Sequence, residues 1–310
     1  MSEPQAIAGT VTTDHAIVGC SDLSASVTFF EAQGFTELGR HSVDATAAAA
    51  LYGLAADTEQ IVMGVPGATS GLIRLVATPL AAPDRGDFHR GGHALDVYST
   101  NVSNSCAAST AAGYTTGTMA DYRFGPVQLQ QAQTLGPDEI PLVFVGIDHR
   151  LPSVLDSQPE RLHSELHSMV ATVDDIDAET TFWTAVVGLQ LKSRFPIDVP
   201  AVSEFMMLPR HAPITMSVMT GPEAAPPRFE LMAFTEAPGA LVSGRPLVPG
   251  ALAIGVRVED VAAAATVLAS AGATVHPVVT APGLDGYPEA AAWATSPAGA
   301  DMELRGPLPS

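Results

Sequence analysis

Cysteine is the first scarcity. Cys20 and Cys106 are the only two among 310 residues, too few for a disulfide-stapled secreted scaffold or a cysteine-built zinc site. A reduced, cytoplasmic setting is the expectation. Basic residues are scarce too: 14 Lys and Arg against 33 Asp and Glu leave a net charge of −19, which repels phosphate backbones and anionic lipid. The densest basic stretches are diluted pairs, Arg85 with Arg90 and Lys192 with Arg194, so no nucleic-acid partner is expected. Charged residues of both signs make up 15% against 46% hydrophobic, with a mean hydropathy of +0.22. That composition is the reverse of a disordered chain. Long apolar runs are missing as well. Residues 261–284 carry no formal charge, but Gly272, Pro277 and several Thr and Ser interrupt them, and they read as helix, turn and strand rather than a membrane span. The opening MSEPQAIAGTVTTDH lacks a basic segment followed by an apolar one, so no signal peptide is expected in it. Phosphate loops, dinucleotide-binding glycine motifs and the Gly-x-Ser-x-Gly elbow are also absent.

What is there is a repeat. Four segments share one order: a short apolar strand, an Asp or Asn turn, a helix closed by Gly, then β-rich sequence. They read DHAIVGCSDLSASVTFFEAQGFTELG, GGHALDVYSTNVSNSCAASTAAGYTT, LHSMVATVDDIDAETTFWTAVVGLQL and ALAIGVRVEDVAAAATVLASAGATVHP. Asp22, Asn101, Asp175 and Asp260 are the expected helix N-caps, and Gly34, Gly113, Gly188 and Gly272 the closing residues. Each interval holds about three helical turns. Strands are expected to follow, at 60–65 and 71–77 in the first unit and 205–208, 215–219 and 229–234 in the third. Pro- and charge-rich connectors fall near 81–90, 148–161 and 236–249. The reading is an N-terminal half, 1–150, holding modules at about 11–80 and 88–149, and a C-terminal half, 151–310, holding modules at about 163–236 and 249–307. Phe29, Phe30, Phe182 and Trp183 are expected core anchors.

The segment DHAIVGCSDLSASVTFFEAQGF, with His on the strand, Asp before the helix, a Phe pair within it and Gly-Phe after it, resembles the opening of vicinal oxygen chelate proteins. That superfamily includes glyoxalase I, extradiol dioxygenases and bleomycin-binding proteins. The resemblance covers nearly the whole chain. It implies an α+β fold of four βαβββ modules forming two curved mixed sheets around clefts, with metal ligands on the first and last strands of paired modules. Position by position, the first-strand slot holds His15, His93, His167 and then Leu252 or Ala253. The last-strand slot holds Arg74, Val143, Glu230 and Glu303. His93 and His167 stand equally far from their caps, one residue farther than His15 does, which favours them as a pair.

If modules two and three pair, the resemblance implies a two-His, one-carboxylate set of His93, His167 and Glu230, suited to Fe(II), with Mn, Zn, Ni or Co as other divalent metals. If consecutive modules pair, the second half offers His167, Glu230 and Glu303. Arg74 in a carboxylate slot is expected to hold a substrate carboxylate or pair with Asp14 or Asp96, and it marks one cleft as having lost its metal. For proton transfer, Tyr98, Tyr122, Tyr287, His163 and His211 are the nearby candidates, with Tyr122 and His211 put forward as catalytic. The implied activity is metal-dependent chemistry on a small oxygen-rich substrate, extradiol-like dioxygenation first and glyoxalase-like isomerisation or lyase chemistry second. The alternative is a metal-free protein that binds and sequesters a small molecule, whose acidic cleft would suit a cationic drug. A monomer or homodimer is expected, because four modules already complete two clefts.

Overall fold

The computed structural model describes residues 5–124, 127–235, 239–242 and 244–309. Part of the expected connector 236–249 and the start of the chain lie outside these. Module one runs β1 (Thr12–Cys20), α1 (Leu23–Ala32), β2 (Thr36–Val43), α2 (Ala45–Tyr52), β3 (Thr58–Gly64) and β4 (Leu72–Ala77). Module two runs β5 (Gly91–Ser99), α3 (Val102–Ala111), β6 (Thr115–Thr116), β7 (Ala120–Phe124), β8 (Val127–Leu135) and β9 (Pro141–Ile147). In module three, β10 (His163–Thr172), α4 (Ile176–Thr181), β11 (Gln190–Ile197), α5 (Pro200–Phe205), β12 (Ile214–Thr220) and β13 (Arg228–Phe234) follow. Module four closes with β14 (Leu252–Arg257), α6 (Val261–Ser270), β15 (Thr274–Val275), β16 (Val279–Pro282), β17 (Pro288–Thr295) and β18 (Asp301–Gly306).

The same local chemistry starts and stops each first helix. Asp22, Asn101, Asp175 and Asp260 accept from the backbone N–H of Ala25, Asn104, Ala178 and Ala263, at 2.9–3.0 Å, satisfying amides that a helix start leaves without a partner. Gly34, Gly113, Gly188 and Gly272 all have φ between 90° and 99°, which residues with a Cβ rarely adopt. α4 runs on into a π-helical turn, Phe182–Val187. The expected strand at 205–208 is not one. Pro200 at the first helical position opens α5 instead, and 205–208 forms its end and the following turn.

Modules one and four share a nine-stranded sheet, joined where β1 runs antiparallel to β14, and modules two and three share another, joined at β5 and β10. The two halves 1–150 and 151–310 therefore each give one module to each sheet. Between the sheets lies the main core, which draws on β1, β5, β10 and β14 through Ala16, Leu95, Met169 and Ile254 and takes in Phe29, Phe30, Phe182 and Trp183 from the helices. No helix among the described residues is long and apolar enough to cross a membrane.

Candidate functional site

The ladders set the four modules in register. Five residues before each cap, Ile17, Asp96, Val170 and Gly255 pair in parallel with Arg74, Val143, Glu230 and Glu303. These last four are one structural position. On the first strands, His15 pairs with Gly255 and Ala253 with Ile17, while Ala94 pairs with Val170 and Ser168 with Asp96. The counterparts of His15 are thus Ala94, Ser168 and Ala253. His93 and His167 each stand one residue earlier, at places where the β5/β10 ladder slips register.

In the module one and four sheet this position is covered by α2. α2 lies on its concave face, burying Ala47, Ala48, Leu51 and Tyr52 against Ile17, Ala253 and Trp293. Beneath them Glu303, fully buried, accepts from Arg74 at 2.7 Å, Arg305 at 2.9 Å and the Tyr52 hydroxyl at 3.0 Å, with His15 Nε2 3.4 Å away. Burial opposes the charge of Glu303, but Arg305 and Arg74 hold its carboxyl well below the usual range. The expected partner of Arg74 was Asp14 or Asp96. The structure corrects this to Glu303, because β4 and β18 occupy matching positions on opposite sides of the β1/β14 pair. Arg74 brings a cation to the carboxylate that the resemblance marked as a ligand.

Modules two and three enclose a cavity of about 620 Å³. Its walls are mostly apolar, with Val143, Val145, Phe195, Phe205, Met216 and Met232 among them. Here α5 packs on β7 and β8 and lends Val202 and Phe205 to the cavity wall, where α2 fills the corresponding space in the other sheet. The cavity's carboxyl groups, its guanidinium and the imidazoles of His93 and His167 lie on β5, β10 and β13. Alternation along β5 turns Ala94, Asp96 and Tyr98 inward, and along β13 it turns Arg228, Glu230 and Met232 inward.

His93, His167, Glu230 and Tyr122 all line this cavity, whereas His211 does not. It follows α5 on the solvent side, paired with Asp198 at 2.7 Å and with the Ser203 hydroxyl at 3.2 Å. Tyr122 hydrogen-bonds Gln131, and burial pushes its phenol up. His163 sits in the core, where its Nδ1 meets the Gln33 carbonyl at 3.0 Å and its Nε2 the Ser105 hydroxyl at 2.8 Å. Tyr287 is exposed.

His93 and His167 lie apart on the strand pair, His93 near the start of β5 and His167 midway along β10. His93 lies beside His89 and Phe234, with ring centroids 5.1 and 6.1 Å away, and burial pushes its imidazole down to about 3. His167 stacks on Tyr98 at 4.0 Å and 6°, in the region where Leu166 pairs with Val97 and Ser168 with Asp96. At ~3.3 Å per residue the two histidines are separated by about 10 Å along the sheet. Among the described residues no three His, Cys, Asp or Glu side chains converge on a point that could hold a metal ion. Arg228 also donates to His167 Nδ1 at 2.5 Å, setting a positive charge beside the imidazole. The residues present do not fit a two-His, one-carboxylate centre.

Arg228 is absent from the sequence reading, and Asp96 enters it only as a candidate partner of Arg74. Arg228 lies two residues before Glu230 on the same strand face, and Asp96 is the one Asp, Glu, Lys or Arg on β5. Burial, and after it the neighbouring Glu230, push the Asp96 carboxyl well above its ordinary value. Strand alternation was the signal available for both.

The sequence profile of the Glyoxalase/Bleomycin resistance protein/Dioxygenase superfamily matches residues 165–304. No curated protein matches the chain by sequence. Among solved structures, glyoxalase I from Zea mays is similar at 14% identity and a TM-score of 0.62, over 96% of this chain and 92% of that one. A candidate dioxygenase from Bacillus subtilis subsp. subtilis strain 168 is similar at 12% identity and a TM-score of 0.64, over 97% and 86%. At these identities the likeness is one of fold.

Proposed function

We propose that the chain, whose residues 165–304 match the glyoxalase/bleomycin resistance protein/dioxygenase superfamily, binds a small, largely apolar organic molecule in the cavity between modules two and three. Side chains hold that molecule, without the metal centre that His93, His167 and Glu230 would form. One observation carries this reading: a mostly apolar cavity of about 620 Å³ persists in one sheet while the equivalent space in the other is filled. Burying about 200 Å² of ligand apolar surface contributes about 5 kcal/mol before the costs of association. That suits a ligand the size of a substituted naphthalene. Both modules of the cavity come from one chain, so a monomer suffices.

The test combines ligand stabilisation with elemental analysis. Naphthalene-sized aromatic ketones are expected to raise the thermal midpoint of the wild type and not of Val143→Trp, which fills the cavity. A panel that stabilises neither protein would sink the proposal. Stoichiometric Fe, Mn, Zn, Ni or Co that is retained by the wild type and lost from His167→Ala would replace it with metal-dependent chemistry, extradiol-like or glyoxalase-like, with Fe(II) favoured.

A further inference from the structure

Arg228 decides what His167 can offer a ligand. A guanidinium has only N–H donors and keeps its proton at any pH a folded protein meets. Its contact with His167 Nδ1 at 2.5 Å therefore requires that nitrogen to accept. The same guanidinium donates to the Tyr98 hydroxyl at 3.0 Å, so it is anchored at two points. The Ser168 hydroxyl lies 3.2 Å from Nδ1 but has only one proton, which it donates to Asp96 Oδ2 at 3.1 Å. A neutral imidazole with an accepting Nδ1 carries its proton on Nε2. That Nε2 is buried and has no partner. Across the same wall, Asp96 Oδ1 is buried without a partner, and Glu230 lines the cavity as an acceptor.

Resting on the preceding reading of the cavity, we propose that Arg228 holds His167 as a fixed Nε2–H donor. The cavity's polar end then takes a ligand with a carbonyl-type oxygen for His167 and an adjacent hydroxyl or amine for Glu230. Arg228 is a positioning residue in this arrangement. It sets the tautomer through which His167 reads the ligand, and it takes up the lone pair a metal ion would have used. Tyr98, stacked on the imidazole, fixes the ring plane.

Two measurements test this on the full chain. In protein with 15N-labelled histidine, the His167 signals, assigned by their loss in His167→Phe, are expected to show a bare Nδ1 and a protonated Nε2 at neutral pH. In Arg228→Met that preference is expected to relax. A protonated Nδ1 in the wild type overturns the proposal. Binding is read with 2-hydroxy-1-(naphthalen-2-yl)ethanone and, as a hydrocarbon of similar size, 2-propylnaphthalene. His167→Phe keeps the ring stack and is expected to lose about tenfold in affinity for the hydroxyketone, with the hydrocarbon unchanged. Equal binding of both probes by the wild type overturns the ligand class alone. Binding of neither overturns the ligand class and the reading of the cavity together, whatever the tautomer proves to be.

Discussion

Arg74 and Glu230 stand at the same position of two modules and give their sheets opposite characters. In one sheet a buried guanidinium meets Glu303. In the other a carboxylate faces an open cavity. Removing one partner of a buried pair leaves the other charged and unsolvated, so Arg74→Met is expected to cost about 3 kcal/mol by urea denaturation. Double substitution with Glu303→Gln should recover part of that. Glu303 is held below its ordinary 4.5, and a depressed carboxyl stabilises above that value and loses the contribution as pH falls through the folded one. The acid limb of the stability profile should therefore flatten in Glu303→Gln. His163 titrates in another window. Burial pushes it from 6.5 down to about 4, so the folded state resists a proton that the unfolded chain accepts. The His163 share is a fall in stability of on the order of 3 kcal/mol between pH 6.5 and 4, beside that of buried His93, and His163→Gln is expected to lose that share of the wild-type slope. A slope unchanged in the variant would refute the assignment. At this scale the sequence was legible up to one residue: His93 and His167 matched each other in spacing, and the true counterparts of His15 are Ala94 and Ser168. A strand reverses its faces with every residue, and the ladder slips beside both histidines are not written in the local sequence.

Among the elements, α2 and α5 occupy corresponding places after the second strand of modules one and three and have opposite effects. α2, mostly alanine, is slim enough to settle on the sheet with Leu51 and Tyr52 pointing down. α5 begins at Pro200 and carries Val202 and Phe205 as cavity wall. Leu51→Ala is expected to cost about 3 kcal/mol by urea denaturation, because packed neighbours cannot collapse onto the gap. Val202→Ala, beside space that is already open, should cost about 1 kcal/mol. Equal costs would mean that α5 is packed as tightly as α2. The caps and closing glycines of the four first helices were readable because each is a local exchange of hydrogen bonds. α5 was not: six residues carry too little periodicity to separate a helix from a strand.

At the scale of the molecule, pairing was the question that the repeat left open, since four like modules can be joined consecutively or crosswise. The structure joins the chain's outer modules to each other and its inner modules to each other. Cutting between modules two and three therefore separates both central strand pairs, β1 from β14 and β5 from β10. Each fragment would expose two apolar strand edges that pair in the whole chain, and such edges seek partners. Fragments 1–150 and 151–310 are thus expected to associate or aggregate when made singly, and to form a one-to-one complex when co-expressed. Size-exclusion chromatography gives the stoichiometry. Near-ultraviolet circular dichroism gives the packing, because both tryptophans, Trp183 and Trp293, lie in the second fragment and are fully buried. Their native signal should appear only when the first fragment is present. If 151–310 alone were a monomer with that signal, the crosswise pairing could not be what holds the two sheets together.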